Sequence, residues 1–401
     1  MTSPETFEIA IADEALRDLH ARIDNTRWPD SLEDVGWAYG MDAAYLRELV
    51  EDWRHRYDWR AQEAALNALP QYRTPIEGLD LHFVHQPGNG PAPLPLVLSH
   101  GWPSSFVEWQ KVIGPLADPA AHGGDPADAF HVVVPSLPGY GFSGMPTQPG
   151  MTPRRMAAMW VELMGRLGYP RFGAHGCDWG SYLTALLGLD FAERSVGIHL
   201  SMVSLGTPGR RERETSAEED AYLERRRRWA AAESGYVAIQ GSKPQTLAYG
   251  LTDSPVGLAA WIAEKWRAWS DCDGDLDSAI ERDIVLTNIA IYWFTGTINS
   301  ASRLYYESRH HPALLQPGER VEVPTGFFLE RASSKPEGEP PPERALQFTP
   351  RIGAPPRERV EGAFNIQRWF EAPTGGHFPA LETPELLIDE IRAFFRPLRT
   401  D

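Results

Sequence analysis

Apolar residues recur along this chain at two spacings, and the spacing changes with position. Up to about residue 75 it is helical: Asp13 to Ile23 and Met41 to Trp53 each predict an amphipathic helix, and no strand pattern is visible there. Leu79 to His85 then alternates. Leu94–Ser99 and Phe130–Pro135 are short apolar runs bounded by turn residues, as in parallel strands buried on both faces. Met151 to Leu167 predicts a helix, with Thr152 as cap and Pro153 in the first turn. Phe172–His175 predicts a strand, Ser181 to Leu189 a helix and Ser195–Val203 another strand. Strands alternating with helices predict an α/β chain with a mainly parallel, doubly wound sheet. From about 206 to 310 the pattern is helical again. Arg210 to Arg228 reads as a solvated charged helix, and Pro255 to Trp266 as an amphipathic one. Strand patterns return at Arg320–Phe328 and Ile366–Phe370, separated by a Ser, Lys, Pro and Glu-rich loop from Ala332 to Pro342. Thr383 to Phe395 predicts a closing helix, with Thr383 as cap and Pro384 first.

Four segments follow from these changes: 1–75, 76–205, 206–310 and 311–401. The first holds Trp28, Trp37, Tyr39, Tyr45, Trp53, Tyr57, Trp59 and Tyr72. A stretch so aromatic and so short cannot close a core of its own, and is expected to wrap a larger body.

The chain has 401 residues, 42% hydrophobic and 23% charged, with a net charge of −17. These values fit a soluble globular protein, and the acidic balance argues against a nucleic-acid partner. Two cysteines, Cys177 and Cys272, cannot supply a disulfide framework. The N-terminus shows neither a basic start nor a long apolar run, so no signal peptide or membrane anchor is expected and the expected location is cytoplasmic. Asp271 to Asp277 is acidic but lacks the glycine and glutamate positions of a calcium loop, and reads as a surface loop. No metal or other cofactor is expected. The oligomeric state stays open, a homodimer included.

The chemistry is expected at three motifs in order. His100-Gly-Trp-Pro103 follows an apolar strand. Gly176-Cys-Asp-Trp-Gly180 joins a strand to a helix. Gly375-Gly-His-Phe378 follows the last strand. A sharp strand–turn–helix with small residues around a nucleophile is the elbow usually written G-x-S-x-G, here with Asp178 in place of serine. At a helix N-terminus a carboxylate is favoured as the anion, and it can attack an sp³ carbon to form an ester. An Asp in a glycine-rich turn is more often only an N-cap, and a lone His in such a loop only a surface residue. The ordered triple decides for function, because oxyanion loop, nucleophile and histidine base appear in that order in α/β-hydrolases.

With these motifs in place, the sequence resembles the microsomal-type epoxide hydrolase family, including bacterial natural-product-pathway members, over nearly its whole length. The resemblance rests on Thr26-Arg-Trp-Pro29, Ala65 to Tyr72, His100 to Ser105, Pro135 to Ser143, Glu233-Ser-Gly-Tyr236, Asp253 to Ala260, Leu286 to Trp293 and Gly375 to Glu382. It implies an α/β-hydrolase fold, with segment 1–75 as the family's N-terminal wrapping domain and 206–310 as a helical cap between two core parts. It implies a small-molecule epoxide as substrate and no cofactor. Asp178 is expected to open the ring, with Tyr236 and Tyr305 protonating the departing oxygen. A phenol with a pKa of about 10 can share its proton with an alkoxide, which leaves poorly at neutral pH. His377 is expected to activate water against the ester. The backbone N–H groups of Trp102 and Trp179 would hold the oxyanion, and their rings could line the pocket. The ordinary alternative for both tyrosines is a core position satisfied by a backbone carbonyl. The abundant aromatics suggest a bulky or aromatic epoxide.

One part of the family pattern is missing. The acid that orients the histidine should follow the Val321–Pro324 strand in a Phe-Pro-x-acid segment, which is absent. Glu330 is the candidate, with Glu337, Glu339 and Glu343 as weaker ones. Without an acid the hydrolytic half-reaction would be slow. An enzyme that opens or rearranges an epoxide without adding water, for example by C–C bond formation, is therefore the second hypothesis, and a non-catalytic binding homologue the third. A haloalkane dehalogenase shares the Asp elbow but not the tyrosine pair or the N-terminal segment.

Overall fold

The computed structural model describes residues 4–205, 215–331 and 351–399. Among them, one sheet runs in the order β1-β2-β3-β5-β4-β6-β7-β8-β9. Its strands are β1 (Glu5–Thr6), β2 (Gln71–Ile76), β3 (Leu79–Gln86), β4 (Leu94–Ser99), β5 (Phe130–Pro135), β6 (Phe172–Gly176), β7 (Ser195–Leu200), β8 (Val321–Leu329) and β9 (Phe364–Glu371). From β5 across to β9 every neighbouring pair is parallel, whereas β1, β2 and β3 extend the edge antiparallel. This is the α/β-hydrolase fold with its mainly parallel sheet.

The first segment differs from expectation. It holds β1 and the start of β2 as well as helices. Gln71-Tyr-Arg-Thr-Pro-Ile carries a proline and an arginine and shows no clear alternation, so a strand there has little sequence signature. Helices α1 (Asp13–Asp24) and α2 (Ala43–His55) lie where periodicity placed them. A third, α3 (Trp59–Asn67), is capped by the Asp58 carboxylate accepting from Ala61 N–H at 3.2 Å. Its alanine-rich sequence hid it.

Helices α4 (Gln110–Ala117), α5 (Pro153–Arg166) and α6 (Trp179–Asp190) follow β4, β5 and β6. The central strands read as continuous apolar runs because helices cover both faces. α5 and α6 pack together on one side, while α4 packs with the closing helix on the other. Between β7 and β8 come α7 (Ala217–Glu233), α8 (Gly235–Gln240), α9 (Pro244–Asp253), α10 (Pro255–Trp269), α11 (Arg282–Thr295) and α12 (Ile298–His310). The predicted charged helix is present as α7 from Ala217 onward, capped by Ser216; residues 210–214 of that stretch, and the 332–342 loop, lie outside the described residues. The chain ends in α13 (Arg357–Val360), α14 (Pro379–Glu382) and α15 (Pro384–Phe395). Thr383 precedes α15 as expected but makes no capping bond, its hydroxyl donating to Pro379 O instead at 3.5 Å.

The N-terminal helices dock on the inserted ones. Tyr45 donates to Asp277, Tyr57 bonds Thr287, the Trp59 ring meets Phe294 edge-on, and Arg22 binds Asp253. Among the described residues no helix is long and apolar enough to cross a membrane.

Candidate active site

Strand β6 ends at Gly176 and α6 begins at Trp179, so Cys177 and Asp178 make the whole turn. Asp178 sits at φ 49° and ψ −121°, where an L-residue is strained. The glycines around it are required by contact. A Cβ on Gly176 would lie 2.1 Å from Gly180 O, and one on Gly180 would lie 1.9 Å from Ser99 O. A Cβ on Gly101 would meet Asp178 Oδ1 at 2.3 Å. Cys177 is buried, and burial holds its thiol well above the usual range, so it packs as expected.

The Trp102 backbone N–H donates to Asp178 Oδ1 at 2.9 Å. The Trp179 N–H opens α6 and has no intrahelical acceptor. His100 supports this loop from below. Its Nε2 accepts from Leu137 N–H at 3.2 Å, so its Nδ1–H donates to Gly101 O at 3.1 Å. The inserted helices hold the loop from above. Asn288 Nδ2 and Trp266 Nε1 donate to Pro103 O at 2.7 and 3.4 Å, and Tyr292 donates to Ser104 O at 2.7 Å.

Tyr236 on α8 and Tyr305 on α12 come together over the elbow with ring centroids 5.6 Å apart. Tyr236 stacks on Trp102 at 5.1 Å, and Tyr305 meets Trp179 edge-on at 4.9 Å. They are 8% and 6% exposed. Burial first, with the Asp178 charge adding to it, pushes both phenols above their usual pKa. Both therefore keep their protons at neutral pH and are donors. The Pro135–Ser143 stretch carries α12: Ser300 and Tyr140 hydroxyls donate to Gly139 O and Ala301 O at 2.5 and 3.2 Å.

His377 brings Nε2 to 3.6 Å from Asp178 Oδ2. Burial alone would lower its pKa. Its contact with Asp178 acts the other way, with smaller help from Glu330 and Glu108, and the net shift is upward. Glu330 directly follows β8. Burial raises its pKa against the opposing pull of His377 and Arg351. It thus faces His377 electrostatically, but among the described residues only Asp178 puts a carboxylate oxygen within 4.0 Å of that imidazole. Glu337, Glu339 and Glu343 lie outside the described residues.

Sequence reasoning missed three residues here. The Trp269 ring lies 5.1 Å from both the His377 imidazole and the Tyr236 phenol ring. Glu108, 2% exposed, is pushed up to about 7 chiefly by burial, with the His377 charge pulling it down. Glu382 accepts three backbone N–H groups around His377. Glu108 has a weak sequence signal, an acid inside the apolar run Phe106-Val-Glu-Trp. Glu382 closes the Gly375 to Glu382 motif, but an acid ending Pro-Ala-Leu-Glu reads as helix surface.

The carboxylate elbow, its amide loop and the histidine after the last strand define an α/β-hydrolase with an aspartate in the nucleophile position. Comparison with known proteins narrows the class. Residues 4–109 match the model of the epoxide hydrolase N terminus, and residues 95–227 that of the alpha/beta hydrolase fold. The chain is 40% identical to a putative epoxide hydrolase of Stigmatella aurantiaca over 98% of its length and 85% of that protein's. It is 35% identical to epoxide hydrolase 1 of Oryctolagus cuniculus, over 97% and 88%. Among solved structures, juvenile hormone epoxide hydrolase from Bombyx mori superposes with a TM-score of 0.85 at 27% identity, over 100% of this chain and 95% of that one. The Aspergillus niger epoxide hydrolase gives 0.83 at 28%, over 99% and 97%. The chain belongs to the epoxide hydrolase family.

Proposed function

We propose that this protein hydrolyses an epoxide to a vicinal diol through an ester on Asp178. The observation that carries the reading is the shared site. The Asp178 carboxylate lies in a strained elbow, His377 Nε2 stands 3.6 Å from it, and two protonated phenols close over it from α8 and α12. In the first step an Asp178 oxygen attacks an epoxide carbon and the ring C–O bond breaks. The departing oxygen takes a proton from Tyr236 or Tyr305, leaving a β-hydroxyalkyl ester. In the second step His377 takes a proton from water, and hydroxide adds to the ester carbonyl. The Trp102 and Trp179 amides hold the resulting oxyanion; one such donor commonly contributes roughly 3 kcal/mol. Collapse expels the diol oxygen, which takes the proton of the new Asp178 carboxyl group and so returns the carboxylate, and the proton on His377 goes back to the tyrosinate. Water is the co-reactant, and no cofactor takes part.

Glu330 is the proposed acid behind His377, supported by its place at the end of β8 and its electrostatic coupling to the imidazole. The domain reading goes with this function: 1–75 as wrapping segment, 206–310 as cap, and 76–205 with 311–401 as core. The rings of Trp102, Trp179, Tyr182 and Trp269 around the elbow favour a bulky or aromatic epoxide. A cytoplasmic location is part of the same reading.

The test is intact mass of the His377→Gln variant after incubation with aryl and alkyl epoxides, with Asp178→Asn as control. A gain of one whole epoxide, absent in the control, is the expected result. The distance between Glu330 and His377 keeps one alternative in view, epoxide opening without added water. A wild-type enzyme that consumes its epoxide, yields no diol and holds no water-labile ester would replace hydrolysis with that reading.

A further inference from the structure

The loop that carries His377 is tied to the inserted helices rather than to the sheet alone. Glu382, five residues on, accepts from Gly376 N–H at 2.9 Å, from Phe378 N–H at 2.9 Å and from Asp271 N–H at 2.6 Å. Two of these amides flank the histidine. The third belongs to the segment that follows α10. From the same segment, Trp269 O accepts the His377 N–H at 3.0 Å and Asp271 Oδ2 accepts the Gly375 N–H at 3.0 Å. Arg351 closes the group, binding Asp271 Oδ1 at 2.8 Å and Gly375 O at 3.0 Å. The two strands of backbone press so closely that a Cβ on Gly376 would lie 2.5 Å from Trp269 O. A carboxylate is suited to this point. Its two oxygens offer about four lone pairs, enough for three N–H donors arriving from two directions; burial pushes its pKa up to about 7 against the pull of those amides, and above that pH each such bond is charge-assisted.

We propose that Glu382 is a positioning residue that fixes His377 Nε2 for attack on the ester and ties that placement to the end of α10. The inference rests on the reading of His377 as the base. The hydrogen bonds of the Glu382 carboxylate go to backbone N–H groups and none to Asp178, Tyr236 or Tyr305, so in this proposal ring opening by those three does not depend on it. Water activation does, because a loop shift of about 1 Å takes a base out of hydrogen-bond reach of its water.

The two half-reactions separate this role from a merely structural one. In Glu382→Gln the side chain keeps its volume, but one oxygen becomes an NH₂ that meets an N–H instead of accepting it. Single-turnover mass spectrometry at pH 8.5 should show ester formation within about twofold of wild type and ester decay slowed roughly 10- to 100-fold. Asp271→Asn, a smaller disturbance of the same clasp, should slow decay alone by roughly 3- to 10-fold and keeps the test open if Glu382→Gln does not fold. Unchanged decay in whichever variant folds overturns the role, as does equal slowing of both steps with a lowered melting temperature. The underlying reading fails separately: if His377→Gln still turns epoxide over to diol without accumulating the ester, His377 is not the base, whatever Glu382 does.

Discussion

In the proposed mechanism His377 would meet opposite demands in the two half-reactions. In the free enzyme burial lowers its pKa, while the Asp178 carboxylate, with smaller help from Glu330 and Glu108, more than offsets that and leaves it above the usual value of 6.5. Once Asp178 is an ester it carries no charge, and burial is left opposed only by the weaker influence of Glu330 and Glu108. The imidazole then loses its proton more readily, which is the form that can accept one from water. Ester decay in a single turnover should therefore rise with pH through an apparent pKa lower than the one His377 shows in the free enzyme by NMR titration. Equal values would mean that Asp178 does not set the charge of the base. In the same proposal the phenols would serve the other step. Tyr305→Phe should slow ester formation roughly 10- to 100-fold, with decay of ester already formed near wild type; a burst experiment reads both phases. General acid catalysis usually contributes more than this, but Tyr236 stays in place to donate.

At the scale of elements, the elbow works because β6, α6 and the end of β4 touch through backbone. Gly180 packs against Ser99 O with no room for a methyl group, and the obstacle is backbone that cannot rotate away. Gly180→Ala should lower unfolding stability by about 4 kcal/mol, seen as a fall in the urea midpoint. A loss below about 1 kcal/mol would mean that α6 can shift away from β4 at little cost. The strand–turn–helix and its glycines were legible in sequence because turn chemistry and apolar spacing act over a few residues. α3 and the strands β1 and β2 were not legible. An alanine-rich helix shows little contrast between its faces, and a strand of two residues has no period.

Over the whole molecule, the N-terminal segment and the inserted helices hold each other. Arg282 on α11 binds Asp277 beside it and Glu48 and Asp52 on α2. Asp52 is buried, so removing the guanidinium leaves its carboxylate to Arg56 alone. Arg282→Ala should cost about 2 kcal/mol by denaturant unfolding, below the figure for a fully buried pair because Arg282 is partly solvated. Residues 4–70 expressed alone should lack stable helix by circular dichroism, since Leu46, Leu49 and Trp53 would have no inserted helices to pack on. The sequence by itself determined the alternation of strands and helices, the aspartate in a serine's place, and the order of the Trp102 loop, Asp178 and His377, because each is written in neighbouring residues. Only the tertiary structure decided how far Glu330 stands from His377, that Glu108 is buried beside the site, and that Glu382 binds Asp271, 111 residues away. Such partners are chosen by how elements pack, and a carboxylate carries no local mark of the amide it will meet.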